Sequence, residues 1–183
     1  MGCIFIVNGY PTAGKTTFVE YCKEILKKPR KNNINNIITA SVVDSIKIIA
    51  DSLGWDGIKD EKGRKFLSDI KEAMDDYSDF THVNFKHIFM GLKDNDFLFV
   101  DMRSPHDIEW ATKNYSAHSI FIKKEELDQK EYGNIADKNV NNYKYELYID
   151  NNGTLEDLYN SAEQFINEIL DTLNHWQIVV FVV

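Results

Sequence analysis

Arginine is the scarcest cation of this chain: Arg30, Arg64 and Arg103 are its only three in 183 residues. Acidic residues number 29 against 21 lysines and arginines, so the net charge is −8 and the isoelectric point lies near 5.1. That balance argues against a broad surface for nucleic acid or an anionic membrane, although it leaves room for a local basic cleft. Cysteine is rarer still. Cys3 falls in an apolar run and Cys22 in a helical pattern. Two such residues make no disulfide framework, and they read as reduced core thiols of a cytoplasmic protein. The five histidines, at 82, 87, 106, 118 and 175, have no metal-ligand spacing with cysteines, which predicts no zinc site. The apolar residues 3–8 are of strand length and lead straight into a glycine-bearing loop, unlike a signal peptide. The run from Ile178 to Val183 is far too short to span a membrane. Repeats, low-complexity tracts and interdomain linkers are missing, so a single domain over 1–183 is expected.

What the chain does have is Gly9-Tyr10-Pro11-Thr12-Ala13-Gly14-Lys15-Thr16, which fits G-x-x-x-x-G-K-[ST] at every fixed position. Such a loop binds phosphate, because glycines let consecutive backbone N–H groups turn into one concavity and the next helix adds its positive end. Lys15 would reach the β- and γ-phosphates and the Thr16 hydroxyl would ligate Mg²⁺. The context suits this reading. Residues 3–8 form a buried-type strand before the loop, and Phe18, Val19, Tyr21, Cys22, Ile25 and Leu26 follow at helical spacing.

Further along, strands are expected at 34–40, 97–101, 119–122 and 145–149, and helices at 15–27, 41–53, 60–77, 80–92, 105–114 and 155–173. Ser41 reads as the cap of the second helix. Strands alternating with helices predict an α/β, three-layer P-loop NTPase fold, with a mainly parallel sheet of about five strands flanked by helices. The segment 41–93 is a helical insertion within it. The segment 123–144 is polar and aperiodic, and is read either as a lid that excludes water or as a solvated connector.

Asp101 ends the apolar run Phe97-Leu98-Phe99-Val100, at the sheet edge where open α/β proteins bind ligands. There it would organise Mg²⁺ or accept a proton, unless it merely serves the loop. Arg103 has the planar fork that suits a phosphate, the alternative being a salt bridge to Asp107 or Glu109. Ser41, Asp44 and Lys47, spaced for one helical face, line an acceptor pocket or form a plain cap and a solvated pair. Arg64, in the stretch Trp55-Asp56 to Gly63-Arg64, belongs either to the site or to a solvated face.

Together these residues resemble the P-loop nucleoside monophosphate kinase superfamily, and within it the phage-type deoxynucleoside monophosphate kinases and the dephospho-coenzyme A kinases. The matching pieces are Gly9 to Thr17, Asp101-Met102-Arg103 with Glu109, and Tyr148-Ile149-Asp150-Asn151-Asn152-Gly153-Thr154 through Leu158, while 41–93 is unmatched. The resemblance implies an ATP- and Mg²⁺-dependent kinase. Lys15, Asp101 and Arg103 would act in catalysis. Gly9, Thr12, Ala13, Gly14, Lys15, Thr16, Thr17, Asn152 and Gly153 would bind ATP, the loop around Asn151 to Thr154 cradling adenine. Thr16 and Asp101 would hold the metal; Ser41, Asp44, Lys47 and Arg64, placed beside the γ-phosphate by elimination rather than by the resemblance, would hold the acceptor. The expected acceptor is a (deoxy)nucleoside monophosphate. The other readings are a kinase of a different small metabolite and a non-catalytic nucleotide-binding regulator, which the shortage of arginine favours. A nucleotide is the expected partner, nucleic acid and membrane are not, and a homodimer is left open.

Overall fold

The computed structural model describes residues 2–28, 36–41, 43–128 and 138–180, with backbone alone for 173–180. Five strands form one parallel sheet: β1 (Cys3–Asn8), β2 (Ile37–Ser41), β3 (Phe97–Asp101), β4 (His118–Lys123) and β5 (Leu147–Asp150). Their spatial order is β2-β3-β1-β4-β5. Seven helices are described: α1 (Lys15–Lys27), α2 (Asp44–Ser52), α3 (Glu61–Ser78), α4 (Phe80–Met90), α5 (Pro105–Tyr115), α6 (Glu125–Asp128) and α7 (Leu155–Val180). This is the expected α/β architecture.

The three inner strands are near-continuous apolar runs because helices cover both of their faces. Phe5 sits at the centre. Its ring lies 5.5 Å from Phe97, 5.3 Å from Phe99 and 5.3 Å from Phe165 of α7. Phe18 of α1 meets the same Phe165 at 5.7 Å, which seats α1 and α7 together on this face. Ile6, Leu98 and Val100, one step out of phase, are fully buried toward the other face. A second aromatic group fastens α4 to α5: Phe85 lies 5.7 Å from Trp110 and 5.4 Å from Tyr115, and Phe89 lies 4.4 Å from Tyr115. Asn84 of α4 also donates to Ser45 of α2 at 3.1 Å. Cys3 and Cys22 are both free, and burial raises the pKa of each thiol.

Several boundaries differ from the sequence expectation. Ser41 is the last residue of β2, paired across to Asp101, rather than the cap of a helix. Half of a capping box survives there, since Asp44 Oδ2 accepts from the Ser41 N–H at 3.1 Å while α2 starts at Asp44. Tyr145, expected in the last strand, precedes it and is buried with its hydroxyl donating to the Val140 carbonyl. Helix α7 runs to Val180, past the expected end at Leu173. The basic turn expected over Lys28–Asn33 lies outside the described residues from position 29 on, as do 34–35 of the strand expected at 34–40, 129–137 of the 123–144 segment and 181–183. Among the described residues, no helix is long and apolar enough to cross a membrane.

Candidate functional site

The parallel register brings the carboxyl ends of the strands to one edge. Val7 of β1 stands opposite Asp101 of β3, and Asp101 stands opposite Ser41 of β2. On the far side of β1, Asn8 pairs with Phe121 and, beyond it, Lys123 with Asp150. The loop after β1 therefore opens onto the crevice where ligands bind in such sheets.

That loop closes round a lysine. Lys15 Nζ donates to the Gly9 carbonyl at 2.8 Å and to the Tyr10 carbonyl at 2.9 Å. The backbone adopts positive φ at Gly9 (148°), Thr12 (66°) and Gly14 (97°). Glycine is required at two of these places. A Cβ on Gly9 would lie 2.7 Å from the Ile122 carbonyl oxygen of β4, and one on Gly14 would lie 2.4 Å from Asn151 Nδ2. Gly14 is also the N-cap of α1 and offers no capping side chain. The N–H groups of Lys15, Thr16 and Thr17 thus sit in the first turn, where no carbonyl of the same helix can accept from them. Thr16 is exposed, Thr17 half-buried and Ala13 buried. Thr12 is exposed and its hydroxyl donates to the Pro11 carbonyl.

The loop after β5 is sewn onto this one. Asn151 Nδ2 donates to the Ala13 carbonyl at 2.9 Å. Asn152 accepts from the Glu125 N–H at 2.8 Å and donates to Asp150 Oδ2 at 2.8 Å, so its amide builds the loop itself. Gly153 is exposed. Thr154 and Asp157 cap α7 reciprocally: Asp157 Oδ2 accepts from the Thr154 N–H at 2.7 Å, and the Asp157 N–H donates to Thr154 Oγ1 at 3.2 Å. The Thr154 N–H leads the interactions that hold the Asp157 carboxyl below its usual pKa.

Asp101 has one oxygen, Oδ1, that is buried and accepts no hydrogen bond. Arg103 Nε stands 3.8 Å from it, an ion pair beyond hydrogen-bonding distance. A buried carboxylate oxygen left this way is costly unless a cation, proton or water completes it. Asp101 Oδ1 therefore has room in its coordination for a cation. Glu109 pairs with Lys113 at 2.7 Å.

The expected acceptor residues form two groups. At the end of β2, Asp44 accepts from Ser41 N and pairs with Lys47 Nζ at 2.6 Å, close to the level of Asp101. Arg64 is exposed in the first turn of α3, its Nε donating to the Lys59 carbonyl at 2.9 Å.

Sequence reasoning did not find Asn8 or Tyr145. Asn8 is fully buried. Its Oδ1 accepts from the Gly9 N–H at 2.8 Å, and its Nδ2 donates to the Tyr145 hydroxyl at 2.7 Å and to the Arg103 carbonyl at 3.4 Å. One side chain thus ties the 9–16 loop to the Asp101–Arg103 strand end. Burial raises the Tyr145 pKa, keeping the phenol neutral. The available signal was an amide closing an otherwise apolar strand.

No protein-family model matches the chain, and no curated protein matches it. Among solved structures the chain is similar to shikimate kinase from Aquifex aeolicus VF5, at 12% identity and a TM-score of 0.43, over 95% of this chain and 96% of that one.

Proposed function

We propose that this protein is a Mg²⁺- and ATP-dependent kinase that transfers the γ-phosphoryl group to a (deoxy)nucleoside monophosphate. The observation that carries the reading is the loop at 9–16, folded round the Lys15 ammonium at the uncapped end of α1. Its N–H groups and Lys15 would neutralise the donor phosphates, and Thr16 with Asp101 would hold Mg²⁺. When bound, ATP supplies the activated phosphoryl group and Mg²⁺ offsets its charge. Arg103, beside Asp101 at the neighbouring strand end, would stabilise charge on the phosphates in transit. The loop at 150–154, joined to the phosphate loop through Asn151, would receive the adenine. Acceptor binding is assigned to the 41–93 insertion, with Ser41, Asp44, Lys47 and Arg64 as its polar groups. Support for phosphoryl transfer from ATP comes from the resemblance of residues 9–17, 101–103 and 148–158 to that kinase superfamily, whose usual acceptors are nucleoside monophosphates.

The test is ADP release from ATP and Mg²⁺ against a panel of nucleoside and deoxynucleoside monophosphates, with shikimate and other small alcohols as the non-nucleotide arm. Turnover with one or more monophosphates is expected. Lys15→Ala should abolish it by at least about 10²-fold, the scale of losing one oriented charge-stabilising donor, while the circular dichroism spectrum stays native. Tight ATP binding with no turnover on any acceptor would favour the regulatory reading and defeat this one.

A further inference from the structure

We propose that His82, His106 and Asp107 form a binding site for a dication of the zinc class, separate from the nucleotide site. Their ligand atoms all lie within 4.8 Å of one another, on the first turns of α4 and α5. His82 Nε2 stands 3.4 Å from Asp107 Oδ1, and His106 Nδ1 stands 3.5 Å from the same oxygen. Zinc bonds to nitrogen and oxygen are about 2.0–2.2 Å, so ligand atoms at the corners of a tetrahedron stand roughly 3.3–3.6 Å apart. The two distances need almost no adjustment.

The decisive group is His82. Its side chain is only 10% exposed and lies flat on Trp110, ring centroids 4.0 Å apart and planes 12° from parallel. Nδ1 stands 2.8 Å from Asp79 Oδ1, so it donates its hydrogen there. Nε2 is buried with no hydrogen-bond partner. It points at a carboxylate oxygen that is itself an acceptor. A metal ion between the two atoms would give Nε2 the partner it lacks.

The surroundings are those of a built site. Asp79 orients His82 through the nitrogen away from the proposed metal, the usual carboxylate–histidine support. Lys71 approaches the other Asp107 oxygen, Oδ2, at 3.5 Å while bonded to Asp75 at 2.6 Å, which leaves Oδ1 for the cation. His106, with its side chain 80% exposed, supplies the solvent side. Two imidazoles and one carboxylate with a fourth position for water suit zinc, cobalt or nickel. Magnesium and calcium prefer all-oxygen shells. Binding would pin the start of α4 to the start of α5, which begins directly after the Asp101–Arg103 strand end.

The experiment is calorimetric titration of Zn²⁺ into the chelator-treated full chain, with excess Mg²⁺ present to occupy oxygen-ligand sites, and Co²⁺ absorption as a geometry probe. One equivalent of Zn²⁺ is expected, with a rise in Tm and a low-symmetry cobalt spectrum. His106→Ala, at an exposed position, should weaken binding at least about tenfold without lowering the metal-free Tm. Asp79→Asn should weaken it about 10- to 100-fold as a positioning residue, and asparagine accepts the left-handed backbone at that position, φ 52°. His87→Ala, on the exposed side of α4, should change nothing. Failure to bind one equivalent of Zn²⁺ would overturn the proposal. So would equal affinity in the wild type, His106→Ala and Asp79→Asn, which would put the ion elsewhere.

Discussion

Asn151 and Ala13 lie 138 residues apart in the chain and are joined by a 2.9 Å hydrogen bond from the Asn151 amide to the Ala13 carbonyl. The same amide nitrogen would lie 2.4 Å from a Cβ on Gly14, so the fit between the two loops depends on the glycine.

That arrangement makes Gly14→Ala a test with two separable parts. One is the clash with Asn151, which involves the end of a flexible side chain. The other is the backbone at φ 97°, where a Cβ costs about 1–2 kcal/mol whatever the neighbour does. Gly14→Ala alone should weaken nucleotide binding by about tenfold or more, and Asn151→Ala by less. The double variant should recover the clash but not the strain, giving a favourable coupling of about 0.5–3 kcal/mol. Strict additivity of the two Kd changes would show that the loops do not touch in solution.

Arg103 and Asp101 share the strand end, with Nε 3.8 Å from Oδ1. Arg103→Lys keeps a positive charge and loses the planar fork, and the two cations are not equivalent at such sites. A fall of about 10²-fold in kcat with little change in ATP affinity is expected, the pattern of an interaction made in the transition state. Asp101→Asn should in addition raise the Mg²⁺ concentration needed for half-maximal rate. If both variants turn over like the wild type, the strand end is structural.

The parts of the fold legible in the sequence are those fixed by neighbours in the chain. The apolar run before Gly9, the glycine spacing and the helical period after Lys15 are local, and they appear in the structure as β1, the phosphate loop and α1. Ser104, Pro105 and Asp107 likewise announce α5: Ser104 Oγ accepts from the Asp107 N–H at 3.4 Å. Ser41 misleads because a serine followed by helical spacing looks like a cap, whereas pairing with β3 carries the strand through it. Asn8 and Tyr145 meet across 137 residues, a contact that no period or spacing encodes. The histidine pair was invisible for the same reason, since α4 and α5 are brought together by Phe85, Trp110 and Tyr115.

Acid should loosen the junction of α3 and α4. Burial disfavours the Asp75 carboxylate, but the Lys71 ammonium and the Thr81 N–H and hydroxyl outweigh it, holding its pKa below the ordinary 3.8. The group therefore contributes stability that is fully present above the unfolded-state pKa and is lost as pH falls through the lower folded value. The Tm gap between wild type and Asp75→Asn should be open at neutral pH and close below about pH 4. Asp96 works in the same direction, its pKa lowered first by the Lys93 N–H and then by Asn36. A gap that stays constant from pH 7 to pH 3 would contradict this account of Asp75.

The acceptor assignment is testable through the contrast between Asp44 and Arg64. Asp44 is bound to the end of β2 by its contacts with Ser41 N and Lys47 Nζ, and Ser41 pairs with the Asp101 that flanks the proposed transfer site. Its ion pair is exposed, and exposed pairs contribute about 0–1 kcal/mol to stability, so its loss should leave Tm nearly unchanged. Any kinetic effect would then report on substrate. Asp44→Ala is expected to raise the acceptor KM by roughly 5- to 50-fold, or about 1–2.3 kcal/mol, with ATP affinity unaltered. Arg64 is held at the start of α3 by the Lys59 carbonyl. For it to bind acceptor, the long side chain must leave that carbonyl when substrate enters, so Arg64→Ala should raise the acceptor KM while Arg64→Lys restores part of it. Acceptor-induced protection of amides 59–64 from hydrogen exchange would accompany the change. Unaltered acceptor kinetics in Arg64→Ala, with no added protection, would assign Arg64 to the solvated face of α3 and leave the phosphate clamp to Arg103 alone.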